Sequence, residues 1–167
     1  MDDKKLLFIV NPRAGKTKSL APLFDAAAIY SEAGYLVSVR KTTHRGEATE
    51  LAESLGPEFD VVVCHGGDGT LNECVNGAVG HDNVAVTHFP CGTGNDFIKM
   101  FGEEKDRFFD LSDLVRGEVR PLDVMECCGR YAVNICSVGI DARIGTEVHQ
   151  YHDSYVLSAV ANLFKGI

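Results

Sequence analysis

Four short stretches of this sequence collect residue types that handle phosphate. They read Asn11-Pro12-Arg13-Ala14-Gly15-Lys16, Thr42-Thr43-His44-Arg45-Gly46, His65-Gly66-Gly67-Asp68-Gly69-Thr70 and Pro90-Cys91-Gly92-Thr93-Gly94-Asn95-Asp96. In the third, glycines around Asp68 let the backbone turn sharply and bring bare N–H groups close to a ligand. Thr70-Leu71-Asn72-Glu73 follows with capping-box spacing, which predicts a helix start. Free amides and the positive end of the helix dipole make such a start a natural phosphate site. Asp68 suits Mg²⁺, which accepts carboxylate and water ligands, better than it suits phosphate itself. The plainer alternative is a turn residue whose side chain bonds the backbone.

The first stretch ends Gly15-Lys16-Thr17 like a P-loop, but that pattern needs glycine where Val10 stands, so a P-loop ATPase is rejected. Asn11-Pro12 still makes a rigid strand exit, and Lys16 can reach a phosphate as a point charge. In the fourth stretch Asn95 and Asp96 stand at a predicted helix start, where capping alone explains them. Asp96 nonetheless adds a second carboxylate beside Asp68, and Asp123, just past Pro121, is the candidate third member of an Mg²⁺–water cluster. His44, His65 and His88 carry weaker signals, since most histidines are structural or surface groups.

These loops need elements to hold them. Apolar, β-branched runs at 5–10, 35–40, 59–64 and 84–89 predict strands. Helical patterns at 18–33, 46–55 and 70–79 separate them, each ending just before a glycine. Strands alternating with helices imply right-handed crossovers and a parallel sheet covered on both faces. All four loops then leave the C-terminal edge of that sheet, where ligands bind in α/β folds. Past residue 95 the texture changes. A short helix at 95–100 and another at 106–116 precede two strands, 119–128 and 131–139, joined at Gly129-Arg130, and a last helix at 154–165. The expected organisation is an α/β parallel-sheet domain over 1–122 and the start of a β-rich second domain over 123–167.

With 167 residues, the chain has room for one domain and a fragment of another. A net charge of -8 argues against a nucleic-acid partner and against broad adhesion to anionic lipid. Residues 13–18 and 40–45 nevertheless hold six of the sixteen Lys and Arg and no acid, which suits a small anionic ligand. The six cysteines match no zinc spacing and are expected to be reduced, structural thiols. Apolar runs of strand length exclude a transmembrane segment, and Asp2-Asp3 is unlike a signal peptide; the protein reads as cytoplasmic.

Asn11-Pro12-x-x-Gly15, then Gly66-Gly67-Asp68-Gly69-Thr70-Leu71-Asn72-Glu73 with Val75-Asn76-Gly77, then Pro90-x-Gly92-Thr93-x-Asn95-Asp96 together resemble the diacylglycerol kinase catalytic family. Pro121-Leu122-Asp123-Val124 and the segment from Asn134 to Ala142 resemble it too, so the likeness runs along nearly the whole chain. The resemblance implies a nucleotide-binding fold like that of NAD kinases and phosphofructokinases, followed by a β-sandwich. It implies ATP contacts from Asn11, Pro12, Arg13, Ala14, Gly15, Thr42, Gly67, Asp68, Gly69, Thr70, Leu71, Asn72, Glu73 and Thr93, with Lys16 beside them. Asp68, Asp96 and Asp123 would organise Mg²⁺ through water. The implied reaction moves the γ-phosphoryl of ATP to a lipid hydroxyl at a membrane surface, a transfer that relies on positioning and charge neutralisation.

Family members run to about twice this length, and the resemblance puts the general base and lipid pocket in the part expected beyond Ile167. The fragment is therefore expected to bind nucleotide without transferring phosphate, and its exposed opening strands invite self-association as a homodimer. NAD kinases share the Gly-Gly-Asp-Gly loop but lack the Gly-Thr-x-Asn-Asp segment. An NAD kinase-like enzyme is the second reading, and a non-catalytic nucleotide-binding module the third.

Overall fold

The computed structural model describes residues 4–15 and 21–137. Lys16 and the expected helix over 154–165 lie outside them. By its internal contacts the chain divides into two compact units, Met1–Asn134 and Ile135–Ile167. The elements below all belong to the first.

Four parallel strands form the sheet: β1 Lys4–Val10, β2 Tyr35–Lys41, β3 Val61–Gly66 and β4 Ala85–Pro90, in spatial order β2-β1-β3-β4. Helices α1 Ala21–Glu32, α2 Glu47–Leu55 and α3 Asp68–Ala78 make the crossovers. The expected α/β parallel sheet is present. Strand β1 lies at its centre, and Leu6 to Val10 are all but inaccessible to solvent. Alternate side chains leave opposite faces of a strand. Leu7 and Ile9 accordingly pack with Ala48, Ala52, Leu71 and Cys74 of α2 and α3. Leu6, Phe8 and Val10 pack with Leu23, Ala26 and Tyr30 of α1. Both faces of the sheet are covered, as a parallel sheet requires.

Helices α2 and α3 approach closely because position 77 has no side chain. A Cβ on Gly77 would stand 2.3 Å from the Thr49 carbonyl oxygen and 2.8 Å from the Ala52 Cβ. The Thr49 hydroxyl, which donates to the Glu73 carbonyl at 3.0 Å, adds a polar tie across the same seam.

Later elements depart from the sequence expectation in detail. Helix α4 spans Asp96–Lys99, but the stretch expected as one helix over 106–116 divides in two. A 3-10 segment, Gly102–Phe109, is followed by α5, Leu111–Val115. Asp110 stands between them in an extended conformation and accepts hydrogen bonds from the Ser112 and Asp113 amides. An aspartate that satisfies the next turn from outside starts a new helix instead of continuing the old one.

The antiparallel hairpin consists of only β5 Met125–Cys127 and β6 Arg130–Ala132. Its turn lies at Cys128-Gly129, one residue before the expected Gly129-Arg130. Both residues have positive φ, 53° and 72°, the geometry whose twist matches a tight hairpin. Among the described residues the strands are shorter than the expected 119–128 and 131–139, because the apolar residues there are used singly, with Val124 and Val133 packing on the α2–α3 core; residues 138 and 139 lie outside the description.

Candidate functional site

In this strand order the chain turns one way from β1 to β2 and the other way to β3. The C-terminal ends of β1 and β3 therefore border a topological switch point, where open α/β sheets hold their ligands. The loops after β1, β3 and β4 meet at this crevice.

Each meeting is tight and specific. The Asn11 amide N–H donates to the His65 carbonyl at 2.9 Å. Its side chain donates from Nδ2 to the Thr70 hydroxyl at 2.9 Å and accepts from the Arg13 amide. A Cβ on Gly15, where φ is +78°, would fall 2.2 Å from the Cys91 carbonyl oxygen, and one on Gly92 would fall 2.6 Å from the Gly67 Cα. Bare backbone is needed at both places, and the backbone can equally approach a ligand there.

Helix α3 starts earlier than the capping-box signal indicated. Its N-cap is Gly67, which has no side chain to cap with, and Asp68 is already helical. Thr70 is instead a buried residue of the first turn, packed over Gly66, where a Cβ would stand 2.5 Å from its own. Its hydroxyl serves the neighbouring loop through Asn11. The first-turn amides thus keep no side-chain cap of their own, the condition under which a helix N-terminus accepts an anion.

Asp68 and Asp96 converge over Gly94. One carboxylate oxygen of each, Oδ2, lies 3.5 Å and 3.2 Å respectively from the point a Gly94 Cβ would occupy. The other Asp68 oxygen accepts the Phe97 amide at 2.9 Å, so Asp68 also caps α4. It does bond backbone, though 29 residues away rather than in its own turn. Asp96 pairs with Lys99 one turn along. Asn95 enters α4 in the left-handed region, φ 46°, and donates from Nδ2 to the Gly92 carbonyl at 3.0 Å, closing the loop on itself. Thr93 and Gly94 form the exposed rim.

The predicted site residues are not all alike in the structure. Pro12 and Ala14 are half-buried and Arg13 exposed, around the Asn11 turn. Thr42 is buried, with its amide and hydroxyl both donating to the Val10 carbonyl. Gly69 faces open space, whereas Leu71 points into the core and Asn72 and Glu73 are half-buried further along the helix. Asp123 is exposed and outside any helix or strand, and among the described residues no three His, Cys, Asp or Glu side chains form a metal cage. Two carboxylates around an open space fit a cation that takes its remaining ligands from water and phosphate oxygens.

His88 is a structural partner with little signal in the sequence. It is fully buried on β4, and its Nε2 stands 3.0 Å from the Gly66 carbonyl, which also accepts the Cys91 amide. That carbonyl belongs to the Gly66–Gly67 peptide, so His88 helps fix the plane of the peptide leading into α3. Burial holds the pKa of His88, and likewise of His65, below the usual histidine value. The second loop, by contrast, is exposed. His44 is held above its usual value mainly by its bond to the Arg45 carbonyl, with Glu47 and other acids adding to this.

The cysteines are all free thiols: Cys64 and Cys74 are buried, Cys91 is half-buried, and Cys127, Cys128 and Cys136 are exposed. A concavity of about 450 Å³ lined by Lys99, Gly102, Glu103, Lys105 and Asp106 involves none of the four loops. No helix among the described residues is long and apolar enough to cross a membrane.

Comparison with known proteins gives this geometry a context. The family model of the diacylglycerol kinase catalytic domain matches residues 5–127. A diacylglycerol kinase of Bacillus subtilis (strain 168) is 35% identical over 139 residues, covering 81% of this chain and 46% of the relative. One from Staphylococcus saprophyticus is 33% identical over 146 residues, covering 86% and 48%. A crystal structure of a diacylglycerol kinase from Bacillus anthracis str. Sterne superposes with a TM-score of 0.66 at 27% identity, over 78% of this chain and 50% of that one. The chain spans about half the length of the curated relatives it matches.

Proposed function

The chain belongs to the diacylglycerol kinase catalytic-domain family, and from that premise we propose that it is the nucleotide-binding part of an ATP-dependent lipid kinase. The acceptor is a lipid hydroxyl such as that of diacylglycerol, met at a membrane surface from the cytoplasm. The observation that carries this is the pairing of Asp68 and Asp96 beside the uncapped start of α3, at the switch point of the sheet.

Within that reading the residues divide the work. First-turn amides of α3 and the bare backbone at Gly67 and Gly92 receive phosphate oxygens. Asn11 and Thr70 hold the loops after β1 and β3 together around them. Asp68 and Asp96 hold Mg²⁺ through water, with Asp123 as the proposed third carboxylate. When bound, the ion neutralises charge on the phosphate oxygens. The residues from 123 open the acceptor domain, and the base that takes the hydroxyl proton lies beyond Ile167. This chain alone then binds nucleotide and transfers no phosphate, because in-line placement of the acceptor supplies much of the rate.

Titration calorimetry tests the nucleotide reading with ATP, ADP and NAD, each with and without Mg²⁺. ATP binding strengthened by Mg²⁺ is the expected outcome, and a preference for NAD would favour an NAD kinase-like enzyme. A labelled-ATP assay with mixed lipid micelles tests the rest. Lipid phosphorylation is expected from the full-length encoded protein and not from residues 1–167, and activity in the shorter chain would show that the active site is misplaced.

A further inference from the structure

In a hairpin closed by a two-residue turn, the pair next to the turn exchanges hydrogen bonds and the following pair does not; its peptide groups point outward. Here Cys127 and Arg130 flank the turn, so Tyr131, opposite Glu126, turns its N–H and C=O away from β5. A side chain meets them. Asn76 of α3 donates from Nδ2 to the Tyr131 carbonyl at 2.7 Å and accepts the Tyr131 amide on Oδ1 at 2.9 Å. One primary amide thereby stands in for the peptide of a neighbouring strand. A further Nδ2 bond to the Asn72 carbonyl at 2.8 Å fixes the rotamer from which it does so. Immediately after β6, Val133 is buried on the same α2–α3 core.

We propose that Asn76 is a positioning residue that clamps the β5–β6 hairpin to α3. The helix whose first turn receives phosphate thereby also fixes the point from which the following chain departs. This rests on the lipid-kinase reading above, because alignment between nucleotide and acceptor is what the clamp would serve. Helix α3 suits the task. It is locked to α2 at Gly77 and Thr49, so a displacement at its far end is not absorbed along its length. Asn76 itself stands two turns from the phosphate end and touches no proposed ligand.

Asn76→Ala removes all three bonds, and the nearly isosteric Asn76→Asp removes both donors while keeping an acceptor. In residues 1–167, amide exchange at Tyr131 should quicken about tenfold or more in Asn76→Ala, which leaves that amide without its acceptor. Mg²⁺–ADP affinity should stay within about twofold of the parent. In the full-length encoded protein, kcat for lipid phosphorylation should fall while KM for ATP holds, in Asn76→Asp as in Asn76→Ala, because the carboxylate oxygen would face the Asn72 and Tyr131 carbonyls. Unchanged Tyr131 exchange in Asn76→Ala would overturn the clamp, and an unchanged kcat would overturn its positioning role. If Asn76→Ala does not fold, Asn76→Asp decides both points. A full-length parent inactive on every lipid tried would sink the kinase reading and the positioning role with it, while the exchange data would still decide the clamp.

Discussion

The loops after β1 and β3 and the loop after β2 leave the same edge of one sheet, yet they are held by opposite means. At the switch point, loops press against one another, and glycine is required because the next backbone occupies the space a side chain would need. The loop after β2 leaves an edge strand with a neighbour on one side only, and beyond Thr42, which is tied to the Val10 carbonyl, it supports itself. There one Glu47 carboxylate oxygen accepts the Thr43 amide, the Thr43 hydroxyl at 2.7 Å and the His44 amide at 3.3 Å. Gly46 has φ +90° and open space around it, so its need is conformational only. Glycine-containing loops on one edge therefore differ in what they can be used for. Crowded backbone makes a rigid binding surface, and a self-capped loop makes a tolerant rim.

The largest expected effect comes from filling the crowded place. Gly92→Ala drives a Cβ into the Gly67 Cα and to within 2.9 Å of the Asn95 Oδ1, and should cost roughly 1–3 kcal/mol with loss of nucleotide binding. Gly69→Ala, with open space and an ordinary helical setting, should stay within about 0.5 kcal/mol. Urea unfolding of the two variants measures the difference, and equal midpoints would erase the contrast.

Asp68→Ala should come next. It removes the acceptor for the Phe97 amide, a capping loss of about 1 kcal/mol. In calorimetry the variant should also lose the Mg²⁺-dependent part of ATP affinity. Retention of that part would remove the metal role and leave the cap.

Acid sharpens the comparison from another side. His65 and His88 have folded pKa values lowered by burial from 6.5, so the unfolded chain binds more protons below that value. Their contribution to stability is complete above pH 6.5 and is lost as pH falls below it toward the lowered values. Denaturation midpoints between pH 7 and 5 should drop in the parent and drop less in His88→Gln.

The smallest effect is expected at the self-capped loop. Glu47→Gln weakens the Thr43 and His44 bonds at an exposed site and should shift the midpoint only slightly. The Glu47 pKa is lowered chiefly by the Thr43 amide, so its contribution is present above 4.5 and fades as pH falls below that. A midpoint loss as large as that of Gly92→Ala would mean that the two loops are held alike.

Much of the edge was legible in the sequence because its signals are local. Apolar β-branched runs specify buried strands, glycines end the helices, and their alternation leaves one topology in which the loops share an edge. The family was readable for the same reason, since each motif is a contiguous set of backbone requirements.

What the sequence could not decide were the uses to which distant residues put one another. Thr70-Leu71-Asn72-Glu73 spells a helix cap, but Thr70 is drawn inside the helix because Gly66 makes room and Asn11, 59 residues away, takes its hydroxyl. Asp110 divides a helix that periodicity alone had joined. Asn76 belongs to a family motif, but its partner is visible only when Tyr131, 55 positions later, presents its outward peptide groups. The sequence by itself determined the four parallel strands, the three crossover helices and the edge their loops share, because turn chemistry and burial act over a few residues. Tertiary structure alone decided the distant partners, Thr70 for Asn11, Phe97 for Asp68 and Tyr131 for Asn76, because a hydrogen bond depends on which atoms folding brings within about 3 Å.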